Sequence, residues 1–198
     1  MSLWDNRYNS SEYIFGTEPN DFLRDRVGEI PSGGRVLCIG DGEGRNAVFL
    51  AGLGFQVTAM DASAVGMQKA QELAQRMNVQ IQTVVGDLAE FAFGTQCWDG
   101  FVSIFCHLPP VLRSAVHAQV LSALAPKGVF LLEGYAPSQL QYKTGGPSDP
   151  AMLYELDAVS QELAGLDVVV LEEVIREIQE GTAHRGTSAT VQYIGRKA

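Results

Sequence analysis

Long apolar stretches are missing from the 198 residues. No run approaches the roughly 20 residues that a membrane helix requires. The first residues, MSLWDNRYNSSEY, lack the basic-then-apolar order of a secretory leader. Positive charge is scarce: 14 Lys and Arg stand against 23 Asp and Glu, a formal charge of −9. Recognition of nucleic acid or of an anionic membrane rests on a basic footprint, so neither partner is expected. Cysteine is rare and odd in number, at Cys38, Cys97 and Cys106. No CxxC pair and no Cys/His zinc spacing occurs. The reading is a reducing, cytoplasmic chain without a structural metal. Internal repeats and low-complexity tracts are also absent.

What is present suffices for one sizeable core: 46% of residues are hydrophobic and 9% aromatic, which excludes a disordered chain. The length predicts a single domain over 1–198. Short β-rich runs alternate with helical ones. Asn20 or Asp21 caps a helix to about Ile30. Strands are expected at 35–40, 55–61, 79–86, 98–106 and 129–135. Helices are expected between them, from about Arg45, from a Ser63 cap, and from Pro109-Pro110 to about Leu124. Four such crossovers predict a parallel, helix-covered α/β sheet. Residues 136–150, APSQLQYKTGGPSDP, read as a long loop and candidate lid. A helix over about 151–164 follows. Two alternating runs then flank EGTAHRG (180–186), which predicts a closing antiparallel hairpin. No feature fixes an oligomeric state.

The sharpest local signal is Val36-Leu37-Cys38-Ile39-Gly40-Asp41-Gly42-Glu43-Gly44-Arg45-Asn46. A buried strand runs into three glycines and then a helix, whose first N–H groups are unpaired. Dinucleotide enzymes space such glycines as GxGxxG; here the spacing is GxGxG with two acids inside. Carboxylates there repel a pyrophosphate and suit an ammonium or sulfonium. Asp61 follows about 20 residues on, at a strand end where an acid holds ribose hydroxyls. Gly86-Asp87-Leu88 ends the third strand and offers an acceptor for an adenine amino group and a side chain for the base face. Each feature also has a purely structural reading: a tight turn for the loop, helix or turn caps for Asp61 and Asp87.

Together these sites resemble class I S-adenosylmethionine (SAM)-dependent methyltransferases, along nearly the whole chain. The segments Trp4-Asp5-x-Arg7-Tyr8 and Tyr13-x-Phe15-Gly16-x-Glu18-Pro19-Asn20-x-Phe22-Leu23 are similar to the start of the tellurite-resistance and thiopurine-methyltransferase-like branch. Gly42-Glu43-Gly44-Arg45-Asn46-Ala47, His107-Leu108-Pro109-Pro110-x-x-Arg113 and Glu180-Gly181-x-x-His184-x-Gly186 resemble its tellurite-resistance side. One departure is Asp41, where that family usually has cysteine.

The resemblance implies a Rossmann-like, seven-stranded, mostly parallel sheet with helices on both faces. It implies SAM as cofactor. Gly40, Asp41, Gly42 and Gly44 would line its methionyl part. Asn46, with Arg45, would orient the carboxylate. Asp61 and Ala62 would hold the ribose, Asp87 and Leu88 the adenine, and Phe105 or Cys106 would sit under the sulfonium. Residues 1–30, through Trp4, Tyr8, Tyr13 and Phe15, would cover the cofactor, although simple hydrophobic docking is an equal reading. The acceptor is a small molecule, a tellurite- or selenite-type oxyanion or a thiol. No catalytic residue is assigned. His107, His184 and Arg185 are the candidates, and with Arg113 and Lys143 they would form a cationic cluster. A solvated hairpin pair and a turn-shaping His107 are the plain alternatives. His117, in mid-helix, reads as surface. Two rivals stand beside this function: a cofactor-binding protein without turnover, and an NAD-dependent oxidoreductase, whose GxGxxG spacing is not met.

Overall fold

A computed structural model describes residues 3–198. In chain order its elements are α1 (Leu3–Tyr8), α2 (Asp21–Arg26), β1 (Arg35–Ile39), α3 (Arg45–Gly52), β2 (Gln56–Asp61), α4 (Ala64–Arg76), β3 (Gln82–Val85), β4 (Trp98–Ile104), α5 (Pro110–Ala123), β5 (Leu124–Tyr135), α6 (Leu156–Glu162), β6 (Asp167–Glu180) and β7 (His184–Arg196). The seven strands lie in the order β3-β2-β1-β4-β5-β7-β6. Strands β1 to β5 pair in parallel, and β7 runs antiparallel between β5 and β6. This is the Rossmann-like, seven-stranded, mostly parallel arrangement that the resemblance implied.

Side chains alternate across a strand, so each strand feeds two cores. Leu37 and Ile39 of β1 join Phe101, Phe130, Leu132 and Tyr193 under α5 and α6. Val36 and Cys38 join Val57, Ala59, Val102 and Leu131 under α2, α3 and α4. Among the described residues, no helix is long and apolar enough to cross a membrane.

Several boundaries differ from the sequence reading. The first expected helix stops at Arg26 and continues only as a 3-10 turn over Val27–Glu29. The third strand shrinks from 79–86 to Gln82–Val85, since it is an edge strand with one partner. The fourth ends at Ile104, because Phe105 takes a left-handed φ of 53°. The fifth strand starts earlier than 129, at Leu124, with an irregularity inside it: Trp98 pairs with Leu124, then Gly100 with Val129. The helix expected over 151–164 begins only at Leu156. Before it, Pro150–Met152 forms a 3-10 turn and Leu153 to Glu155 are extended, where the Tyr154 N–H donates to the Tyr135 carbonyl and the Tyr154 ring is buried. The hairpin turn is shorter than 180–186, so His184 and Arg185 are the first residues of β7, not turn residues, with His184 opposite Glu180. His117 is not on the surface: it is 2% exposed, with Nδ1 2.7 Å from the Glu162 carboxylate.

Candidate active site

The C-terminal ends of the parallel strands open into one cavity of about 470 Å³. Open α/β sheets bind ligands at this edge, where the strand order reverses; here the reversal lies between β1 and β4. The loop after β1 forms the seam. Gly40 and Gly42 have φ of 61° and 59°, a region that favours glycine. Space demands glycine as well: a Cβ on Gly40 would lie 2.6 Å from Cys106 Sγ, and one on Gly42 2.5 Å from the Tyr8 hydroxyl. Gly44, also left-handed, abuts Ala70 and opens α3.

On one side of the seam, over β1, β2 and β3, the wall carries acids. The Asp61 carboxylate accepts from Gly42 N at 3.0 Å and Ser63 N at 2.8 Å, so its two oxygens tie the glycine loop to the start of α4. Burial pushes its pKa up despite those bonds. Asp87 is exposed and caps its own turn, accepting from Ala89 N at 2.8 Å. Ala62, Gly86 and Leu88 complete this wall. Asp41 is different. Its Oδ2 is buried and unpartnered. Burial pushes its pKa up to about 7, against the lowering effects of the Ala47 N–H and the Arg45 guanidinium, with Asp61 adding a like charge. The second loop acid does not share this role: Glu43 lines the cavity but is ion-paired with Lys69. Lys69 Nζ also donates to the carbonyls of Tyr8, Ser10 and Glu12. Glu43 therefore anchors the N-terminal segment rather than facing a ligand as a free charge.

On the other side, over β4, β5 and β7, the wall carries rings. Phe105, just after β4, lies 4.7 Å from the Tyr135 ring and 4.7 Å from the His184 ring. Phe15 approaches His184 at 4.5 Å. His184 Nδ1 and the Tyr135 hydroxyl are both buried without partners. Burial, with the nearby Arg45 charge, lowers the His184 pKa to about 3, so the ring is neutral. His107 lines the same side, but both of its nitrogens are engaged. Nδ1 donates to the Met152 carbonyl at 2.9 Å and Nε2 accepts from Tyr135 N at 3.3 Å, and burial lowers its pKa to about 4. Burial pushes the Cys106 thiol up to about 12.

The cationic cluster expected from the sequence does not assemble. The Arg113 guanidinium donates to the Glu162 carboxylate and the Leu153 carbonyl. The Nε–H of Arg185 donates to the Gly181 carbonyl. Neither residue lines the cavity, nor does Lys143. The other site residues expected from the sequence do line it, save for Gly42, which abuts Tyr8, and Gly44, which abuts Ala70. Of the N-terminal aromatics, Trp4, Tyr8 and Phe15 form the roof. Tyr13 faces elsewhere: its hydroxyl donates to the Lys69 carbonyl, and its ring meets the Arg76 guanidinium.

Sequence reasoning missed Tyr135 and the charge network beneath it. Glu133, fully buried on β5, accepts from Asn20, Arg176, Thr190 and Gln192. Glu180 accepts from Asn20 at 3.0 Å and pairs with Arg45 at 2.5 Å. Asn46 Oδ1 accepts from Asn20 N, so the network joins the N-terminal segment, α3 and the hairpin. A lone acid within the apolar run VFLLEGY was the available signal.

Residues 36–128, just under half of the chain, match the family model of a methyltransferase domain. A search of curated proteins finds no match. Many solved structures share the fold. One, described as "Conversion of a Disulfide Bond into a Thioacetal Group during Echinomycin Biosynthesis", aligns with a TM-score of 0.80 at 18% identity, covering 98% of this chain and 90% of that one. TehB from Haemophilus influenzae aligns with a TM-score of 0.72 at 18% identity, over 98% of this chain and 66% of that one. Magnesium protoporphyrin IX methyltransferase (ChlM) from Synechocystis PCC 6803, solved with bound S-adenosylhomocysteine (SAH), aligns with a TM-score of 0.66 at 20% identity, over 89% of this chain and 78% of that one.

Proposed function

We propose that this chain, which has the class I SAM-dependent methyltransferase fold and a matching central segment, transfers a methyl group from SAM to a small molecule. The observation that carries this reading is the row of carboxylates Asp41, Asp61 and Asp87 after three adjacent parallel strands, with Asp41 Oδ2 buried and unpartnered. An orphaned buried acceptor is costly, and a ligand ammonium beside it removes that cost. Asp61 suits the ribose hydroxyls, Asp87 and Leu88 the adenine, and the Gly40–Gly44 loop, whose glycines keep side chains out of the way, the methionyl part. Ala62 leaves room beside the ribose, Asn46 stands at the start of α3, and Phe105 lies across the seam. A pyrophosphate would meet carboxylates on this wall, which disfavours an NAD enzyme.

Bound SAM supplies an electrophilic methyl on a cationic sulfur. The chain's part is to hold the acceptor in line and exclude water. Such orientation contributes about 7–11 kcal/mol. The roof of Trp4, Tyr8 and Phe15 and the loop residues Gly145 to Pro147 serve that exclusion. A sulfur acceptor is favoured over a chalcogen oxyanion: of the cations lining the cavity, Arg45 is paired with Glu180 and Arg7 is exposed at the rim, while Arg113, Arg185 and Lys143 lie off it.

Calorimetric titration with SAM, SAH and NAD tests the reading. SAM and SAH are expected to bind and NAD not. Asp61→Asn should weaken both by roughly 10- to 100-fold, the worth of hydrogen bonds to a charged group at about 1.5–3 kcal/mol. Binding of NAD alone would overturn it. Tight SAM binding with no methyl transfer to any acceptor would favour the cofactor-binding protein without turnover.

A further inference from the structure

Among the described residues, no carboxylate or amine that could serve as a base lines the ring side of the cavity. Both His107 nitrogens are held by backbone groups, His184 is enclosed by rings, and Cys106 lies under Gly40. An alcohol or an ammonium acceptor would need such a base. Among the described residues, two cations line the cavity. Arg45 is paired with Glu180. Arg7 is exposed at the rim, stacked over Trp4 and Phe15 at 5.1 and 5.6 Å, where solvent screens its charge. What remains is an aromatic enclosure, Phe15, Phe105, Tyr135 and His184, with two buried polar atoms lacking partners: the Tyr135 hydroxyl and His184 Nδ1. Ring walls favour polarisable sulfur and stabilise a cation formed between them.

We propose that this enclosure is the acceptor subsite and that it takes an uncharged, two-substituent sulfur or selenium, a thioether-type nucleophile, with Tyr135 and His184 receiving its polar substituents. The inference rests on the methyltransferase reading and names its substrate class. The acceptor's lone pair forms the new sulfur–carbon bond, and the bond from that methyl to the donor sulfur breaks with its electrons staying on the donor. The products are a sulfonium and SAH. No proton is released, in keeping with a ring side that carries no carboxylate or amine.

The test begins with binding. The full chain saturated with SAH is titrated with trimethylsulfonium, selenite and tellurite. Trimethylsulfonium should bind, and Tyr135→Leu should weaken it about tenfold while SAH affinity stays within twofold. Turnover is then followed with methyl-labelled SAM at saturation and dimethyl sulfide, 2-mercaptoethanol, selenite or tellurite. Labelled trimethylsulfonium should form at a rate flat between pH 7.5 and 9. Methylation of the thiol alone, rising tenfold per pH unit, would overturn the inference. So would methylation of the oxyanions alone, or failure of trimethylsulfonium to bind. Failure of SAH and SAM to bind would instead overturn the underlying methyltransferase reading.

Discussion

Over β1, β2 and β3 the cavity wall is made of carboxylates held by nearby backbone N–H groups. Over β4, β5 and β7 it is made of rings brought from distant parts of the chain. Asp61 is held by Ser63, and Asp87 by Ala89. Phe15, Phe105, Tyr135 and His184 meet only because the sheet closes and the hairpin runs past its edge. One half is thus assembled by local turns and the other by tertiary packing over a buried charge network. The first should tolerate damage to the second, and the reverse.

The largest expected effect tests that asymmetry. Glu133 is fully buried and accepts from Arg176, Asn20, Thr190 and Gln192; without it Arg176 keeps Glu180 and Asp21, and Asn20 keeps Glu180. Removing one partner of a buried ion pair costs about 3–5 kcal/mol, so Glu133→Leu should lower the melting temperature by roughly 10 °C, at 2–4 °C per kcal/mol. The matching change in the acid half, Glu43→Gln, leaves Lys69 with three carbonyl partners. It should cost only about 1–2 kcal/mol. Thermal unfolding of both variants decides it. Equal losses would mean that the ring half has no special dependence on its network.

The same asymmetry explains what the sequence made legible. The strands, glycine loop and acids follow from patterns spanning a few residues, so Gly40, Asp61 and Asp87 could be picked out one by one. The hairpin could be foreseen, but not its register. The seven residues EGTAHRG read as turn, whereas only Gly181 to Ala183 turn. Gly181 packs against the backbone of Ile14 to Gly16, a contact no local pattern encodes. That shift moved His184 from solvent into the ring enclosure. The apparent cations failed for a similar reason. Arg113 looked available because its partner, Glu162, lies on a helix whose start was misplaced by five residues, at 151 rather than Leu156. Tyr135 was invisible as a site residue because a strand-ending tyrosine looks like core.

The halves should also answer pH with opposite sign. Burial raises Asp41 to about 7. Between an unfolded value near 3.8 and that pH the folded chain holds the extra proton, so this group lowers stability as pH rises. Tyr8, Cys38, Arg45 and Asp61 surround it electrostatically. His107 and His184 are lowered to about 4 and 3. Below about 6.5 the unfolded chain holds their protons instead, so they raise stability as pH rises. Each group contributes a slope of at most about 1.4 kcal/mol per pH unit. Denaturant unfolding between pH 4.5 and 6.5 should steepen in Asp41→Asn and flatten in His184→Leu. Changes of the same sign in both would break the distinction. Above pH 6.5 only Asp41 of the three still titrates, so SAM, bringing an ammonium, should bind about tenfold tighter at pH 7.5 than at pH 6 in the parent and not in Asp41→Asn.

The smallest effect concerns what closes each half. The N-terminal segment covers the acids, while Gly145 and Gly146 lie against Tyr135 on the ring side. That loop is pinned at Thr144, whose hydroxyl donates to the Thr187 carbonyl at 2.8 Å, shares a bond with Ser188 Oγ, and accepts from Gln139. Lys143 beside it is exposed. Losing a hydrogen bond of this kind costs about 0.5–1.5 kcal/mol, which makes local opening roughly 2- to 10-fold more frequent. Thr144→Val should therefore speed tryptic cleavage after Lys143 by that factor while leaving SAH affinity unchanged. In the parent, cleavage should slow when SAH and trimethylsulfonium are bound together, and less with SAH alone, because only the former fills the ring side. Cleavage indifferent to both ligands would mean that the loop is fixed wall, and the ring half would then be closed by the protein's fold alone.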